Sequence, residues 1–187
     1  ILSGLVGSEM CIRDRIEGAQ STLNHFRSTD EIGVWAFTTG ISSDEGEGIQ
    51  VLRDVSALGS DGEKLDSSLD DLRYAQRNGT PLYDSILLAY EAMSERAEPG
   101  RINAIVVLSD GEDTDSSTSL DSLIAKIGKS TKEGGDDAPV RIFPIAYGEG
   151  ADTSALQRIA EVTGGQLFDA SDAERIDLVF ASVINNF

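Results

Sequence analysis

Two rhythms of apolar residues run along the chain. Residues 105–108, Ile-Val-Val-Leu, are apolar without a break and rich in β-branched side chains. A strand that is apolar at every position is usually buried on both faces, as in a parallel sheet covered by helices. Residues 32–38 share that character, with Ile32, Val34 and Ala36 on one side and Trp35 and Phe37 on the other. Residues 49–58 predict a further strand at an edge, residues 140–147 another, and residues 166–168 a short edge strand. Pro144 lacks a ladder donor, so irregular pairing is expected there. Between these runs the period changes to that of a helix. Ile16, Ala19, Leu23 and Phe26 predict a helix over 13–27, and Leu65, Leu69 and Leu72 a short one. Ile86, Ala89, Tyr90 and Met93 line a helix that starts at Tyr83 or Asp84 and runs to Arg96. Leu120, Leu123, Ile124 and Ile127 mark the next, closed by Gly128. Leu156, Ile159 and Ala160 follow Asp152 and end at Gly164-Gly165. Ser171 and Glu174 have capping-box spacing ahead of a last helix carrying Ile176, Val179, Phe180, Val183, Ile184 and Phe187. Residues 40–48, 110–119 and 132–137 are polar and read as exposed turns and loops.

Strands that alternate with helices argue for an α/β fold, doubly wound, with a mainly parallel sheet flanked by helices. At 187 residues the chain is one domain of ordinary size. Its 40% hydrophobic content is that of a globular protein, and no apolar run reaches the length of a membrane span. The net charge of −18 repels nucleic acid and anionic lipid, so neither is an expected partner. It favours cations and basic surfaces, although acidity also serves solubility. Cys11 is the only cysteine, which excludes an internal disulfide and a cysteine metal site.

The candidate chemistry lies just after residues 105–108. Asp110 stands where that strand would end, and open α/β sheets place ligands outside the carboxyl ends of their strands. With Glu112, Asp113 and Asp115 close behind, a hard cation could be held there. Asp110-Gly111 is equally ordinary turn chemistry, and a solvated loop is the simpler reading of the three acids that follow.

The pair Asn78-Gly-Thr-Pro-Leu-Tyr-Asp84 and Ile105-Val-Val-Leu-Ser-Asp-Gly-Glu-Asp-Thr114 resembles the von Willebrand factor A domain, and its bacterial members above all. The predicted first helix, the strands at 32–38 and 143–148, and the passage Ala160-Glu-Val-Thr-Gly-Gly-Gln-Leu-Phe168 fit the same order. The resemblance implies a Rossmann-like sheet with a metal-ion-dependent adhesion site on its rim. It implies Thr80 and Asp110 as metal ligands, with Glu112 and Asp113 on the rim. It implies a protein partner presenting a carboxylate, Mg²⁺ (or Mn²⁺ or Ca²⁺) in the full-length parent, and the surface or periplasm of a bacterium.

One part of that pattern is absent. The family carries Asp-x-Ser-x-Ser after its first, central strand, and no such motif precedes the first predicted helix here. Residues 5–15, Leu-Val-Gly-Ser-Glu-Met-Cys-Ile-Arg-Asp-Arg, resemble translated sequencing-adaptor sequence. Residues 1–12 are therefore read as a non-native or disordered tail, and residues 13–187 as a truncated domain lacking its first central strand. Residues 1–6 substitute as a poor strand, or the sheet has a gap there, or the two neighbouring strands close together; a gap or a poor strand is favoured, leaving open apolar edges prone to aggregation. Mg²⁺ wants an octahedron of oxygens. Thr80 and Asp110 supply one neutral and one charged ligand, so weak or negligible metal affinity is expected of this chain.

Other classes fit less well. A strand-end aspartate can be a phosphotransfer nucleophile, but Asp110 has no second aspartate two residues on. Gly128-Lys-Ser-Thr131 is similar to the end of a phosphate loop, but Leu123 stands where its first glycine belongs. Gly148-Glu-Gly150 lacks the third glycine of a dinucleotide fingerprint. His25 is the only histidine and is distant in sequence from Asp110. The chain is thus read as a binding module and not an enzyme, with assembly beside an AAA ATPase as an alternative use.

Overall fold

The computed structural model describes residues 2–4, 26–43, 46–59, 79–109, 112–133, 140–147 and 150–170. Its strands are Leu2–Gly4 (β1), Glu31–Ser43 (β2), Gly46–Ala57 (β3), Asn103–Ser109 (β4), Val140–Tyr147 (β5) and Phe168–Ala170 (β6). Its helices are Leu82–Arg96 (α1), Leu120–Glu133 (α2) and Thr153–Thr163 (α3). The strands form one six-stranded sheet in the order β3-β2-β1-β4-β5-β6. All neighbours are parallel except β2 and β3, so the sheet is mainly parallel with an antiparallel edge. The helix expected over 13–27 lies outside the described residues except for Phe26 and Arg27, which are not helical; the helices expected over 65–72 and after Ser171 lie outside them, as do residues 5–12 and Asp110.

The centre of the sheet is not a gap. Leu2–Gly4, which the sequence assigns to a tail or a poor strand, pairs with β2 (Leu2 beside Trp35) and with β4 (Leu2 beside Val107). It is three residues long against seven in β4, so it covers only part of each neighbour.

β4 buries Ile105, Val107 and Leu108, as expected for an all-apolar central strand. Each helix lays one stripe on the sheet: Leu82 and Ile86 from α1, Leu123 and Ile127 from α2, Leu156 and Ile159 from α3, all at 0% exposure. Burying such a side chain is worth about 1.5–3 kcal/mol, so these six anchor the helices. Trp35 is partly buried against the same core.

Three expectations change. The polar residues 40–48 are not all turn: β2 and β3 continue through them as a hairpin, with Ser42 beside Glu47. Ladder bonds come from the backbone, and an edge hairpin needs no apolar alternation to keep them. Three register shifts absorb the extra residues of this pair. Gly128 does not end its helix, because α2 runs on to Glu133. A Cβ at Gly128 would lie 2.7 Å from Val162 Cγ2. This glycine therefore permits the close approach of α2 and α3. Pro144 causes no irregularity, since β4 and β5 stay in register from Asn103–Val140 to Ser109–Ala146. Side-of-strand alternation points the Pro144 nitrogen the same way as that of Ile142, toward the outer edge, just before β6 begins pairing at Ile145.

Among the described residues, one buried side-chain polar atom lacks a mate. Ser85 is 1% exposed, on the first turn of α1, and its Oγ finds no hydrogen-bond partner among the described residues. A buried hydroxyl without a partner carries its desolvation cost uncompensated. Ser85→Ala is expected to stabilise the fold by about 1–2 kcal/mol, helped by alanine's helix propensity. Denaturant unfolding checks this; a destabilised variant would mean that the hydroxyl is satisfied.

Candidate functional site

The parallel strands end, and the three helices begin, along one rim of the sheet. β4 delivers its last residue, Ser109, to that rim fully buried, and β2 delivers Thr38 likewise. Thr80 lies beside them, 3% exposed, two residues ahead of α1. Its loop is held from both sides. Thr38 Oγ1 donates to the Gly79 carbonyl at 3.4 Å. A Cβ on Gly79 would stand 2.2 Å from Asp115 Oδ2 and 2.5 Å from Thr39 Cγ2, so a larger residue would push both side chains aside.

The other side is the acidic loop that follows β4. The Thr80 amide donates to Thr114 Oγ1 at 3.0 Å and to Asp115 Oδ2 at 3.2 Å. The Thr114 amide returns a bond to the Thr80 carbonyl at 3.1 Å. Pro81 caps α1 without a side-chain bond, so the first amides of the helix need acceptors from elsewhere. They find them in the same loop: Tyr83 N donates to Asp113 Oδ1 at 3.1 Å and Asp84 N to Ser116 Oγ at 3.0 Å. Ser116 Oγ also donates to Asp113 Oδ1. Asp84 reaches back, accepting from Ser117 N at 2.7 Å, Ser117 Oγ at 3.1 Å and Thr118 N at 3.0 Å. Ser119 then caps α2, with Ser122 N donating to its Oγ at 3.3 Å.

These bonds perturb two ionisable groups. Burial works to raise the Asp84 carboxyl, but the hydrogen bonds from Thr118 and Ser117 outweigh it and hold the group below its ordinary value. A carboxyl lowered in the folded state stabilises the fold at neutral pH. That contribution is lost as pH falls through the lowered value, below about pH 4. Burial, helped by the charges of Asp113, Asp152 and Glu112, raises the Tyr83 hydroxyl, and Arg158 partly offsets this.

Of the residues singled out in the sequence, Thr80 and the acids at 112–115 do meet at one rim. Asp110 lies outside the described residues, between Ser109 at the end of β4 and Thr114 beside Thr80. Glu112 is exposed, while Asp113 and Asp115 are not simply solvated: both accept hydrogen bonds from the Thr80 loop or the start of α1. Asp84, Thr114, Ser116 and Ser117 went unnoticed as partners. One signal was available. The pattern Asp-x-Ser-x-Ser does occur in the chain, at Asp115-Ser-Ser-Thr-Ser119, but after β4 instead of after the first strand.

That displaced motif does not supply a metal shell. Asp115 bonds to Thr80 N, Ser117 to Asp84 and Ser119 to Ser122, so its three oxygens point to different tasks. Among the described residues, no group of three or more His, Cys, Asp or Glu side chains is arranged to hold a metal ion. Among the described residues, Thr80 alone of the two expected ligands is placed, and no complete octahedral set stands around it.

Comparison with known proteins gives the family. The von Willebrand factor type A domain profile matches residues 18–181. No curated protein matches the chain. Among solved structures, the fold is similar to a von Willebrand factor type A protein from Catenulispora acidiphila, with a TM-score of 0.72 and 18% identity over 97% of this chain and 40% of that one. It is similar to proximal thread matrix protein 1 of the mussel byssus, solved with a zinc-occupied MIDAS motif, with a TM-score of 0.71 and 13% identity over 98% of this chain and 46% of that one. It is similar as well to BatB from Bacteroides thetaiotaomicron, with a TM-score of 0.64 and 13% identity over 98% of each. At these identities the likeness is one of fold, and the chain spans less than half the length of the first two. The profile match over most of the sequence, on a doubly wound sheet with Thr80 at its rim, places this chain in the von Willebrand factor type A domain family.

Proposed function

We propose that this chain is a protein-binding domain that works through a rim-bound divalent cation, and that it carries about half of the cation's ligands. Thr80 and Asp110 are that half. The other half, in this family an aspartate and two serines after the first strand, has no counterpart among residues 1–12. The observation that carries the reading is the Thr114–Thr80 bond: the loop leaving β4 is fastened to the threonine loop four residues beyond Asp110.

Charge explains why such a module would need its cation. The rim carries Asp84, Glu112, Asp113, Asp115 and Asp152, in a protein of net charge −18. A partner's carboxylate approaching this surface meets repulsion. A divalent ion held between them reverses the sign of the interaction, so capture would be metal-dependent and not merely metal-assisted. The proposed setting is a bacterial cell surface or periplasm, the proposed ion Mg²⁺, and the proposed ligand an acidic side chain on a protein.

The experiment uses Mn²⁺ as a paramagnetic probe of the half-site, in about 150 mM salt to suppress diffuse binding to the acidic surface. Resonances of Thr80 and its sequence neighbours are expected to broaden first. Broadening centred on the opposite end of the sheet, around Glu31 and Glu98, would overturn the reading.

A further inference from the structure

We infer that Asp84 is a positioning residue, which holds the Thr80 loop and the acidic loop after β4 as one rigid unit. Among the described residues, its carboxylate makes no hydrogen bond to Thr80. Its carboxylate instead accepts from Ser117 N, Ser117 Oγ and Thr118 N, 33 and 34 residues away. Those bonds anchor the far end of the acidic loop to the first turn of α1. The near end is tied to the same turn and to Thr80 through Thr114, Asp115, Asp113 and Ser116. The loop is thus stitched at both ends to the element that carries Thr80.

The stitching is reciprocal, and this separates it from an ordinary helix cap. α1 donates its Tyr83 and Asp84 amides to the loop and accepts two loop amides on the Asp84 side chain. Each loop supplies what the other lacks: α1 has no capping side chain of its own, and an irregular loop has backbone amides with no ladder to enter. Charge-assisted bonds to a carboxylate are roughly twice as strong as neutral ones, so Asp84 carries more of the fastening than any serine in it. The Asp115–Ser119 run, which looks like a cation motif, therefore acts as a strut. Its function is to fix where Thr80 stands relative to the end of β4, and any rim ligand set depends on that placement.

The functional meaning of this strut rests on the proposed role of Thr80, but its existence is tested without metal. Amide hydrogen exchange is compared in the metal-free chain and its Asp84→Ala, Asp84→Asn and Ser117→Ala variants. In Asp84→Ala the Ser117 and Thr118 amides are expected to exchange roughly ten- to a hundredfold faster, the loss of a charged hydrogen bond. The Thr80 and Thr114 amides, which Asp84 does not touch, should accelerate with them, while those of Ile145 and Leu156 stay as they were. Asp84→Asn keeps one acceptor oxygen and should fall between; Ser117→Ala keeps its amide and should change little. Protection of Thr80 and Thr114 that survives the opening of Ser117 and Thr118 would overturn the inference. So would acceleration spread evenly into β5 and α3, because Asp84 would then serve the whole fold. A Mn²⁺ result that ignored Thr80 would sink the metal reading and leave this result standing.

Discussion

Gly165→Ala is expected to lower the unfolding free energy by about 3–5 kcal/mol. For a domain of this size that is a fall of about 10 °C in the thermal midpoint. The reason is space. A Cβ at residue 165 would sit 1.9 Å from the Ile142 carbonyl oxygen and 2.8 Å from its carbon, which is backbone and cannot turn aside. The close approach follows from the short β6, which pairs only with Ile145, Ala146 and Tyr147. The lower outer edge of β5 is closed instead by the end of α3. Thr163 Oγ1 accepts from Ile142 N at 3.0 Å, and the chain leaving the helix passes against the Ile142 carbonyl. The neighbouring glycine is a control. Gly164 has φ +71° and nothing within 4 Å of its added Cβ, so Gly164→Ala should cost only the left-handed strain of about 1–2 kcal/mol. Equal losses at the two positions, measured by denaturant unfolding, would mean that the clamp on β5 is looser than it looks.

The reading of these two glycines shows what a sequence can and cannot carry. Gly164-Gly165 was legible as a helix stop, because a helix end has a local signature. That one glycine supplies a backbone angle and the other a gap is a fact about β5, more than 20 residues upstream. Gly128 failed for the same reason: a glycine after an apolar stripe looks like a terminus until Val162 is seen against it. Strands β4 and β5 and helix α1 were readable because their apolar periodicity is local and strong. The β2–β3 hairpin was read too short, since its far end is held by backbone bonds between polar residues. At the rim, Thr80 was singled out through the family pattern of its loop, and it lies against Thr114 and Asp115. Its partners were not, because bonds such as Tyr83 N to Asp113 and Asp84 to Ser117 join residues about 30 apart with no periodicity to betray them.

The second large effect is a gain. Replacing residues 1–12 by a full-length apolar strand that ends in Asp-x-Ser-x-Ser is expected to create a Mg²⁺ site that the present chain is proposed to hold only in part. The described β1 is three residues long, so a full-length strand would extend its pairing with β2 and β4. It would also bring one carboxylate and two hydroxyls to the rim where Thr38, Thr80 and Ser109 are already buried. With Thr80 and Asp110 these make five protein oxygens, near the six that Mg²⁺ requires, with water or a partner's carboxylate for the rest. The acidic loop need not rearrange, because its own bonds already hold Thr80 in place.

Titration calorimetry with Mg²⁺ tests this most directly, run on the present chain, on the strand-restored chain, and on the restored chain with Thr80→Ala or Asp110→Ala. The expected result is no one-to-one heat in the first, saturable one-to-one binding tighter than about 1 mM in the second, and loss of that binding in both variants. A restored chain that folds cooperatively yet ignores Mg²⁺, or one that binds equally well without Thr80 and Asp110, would contradict the account.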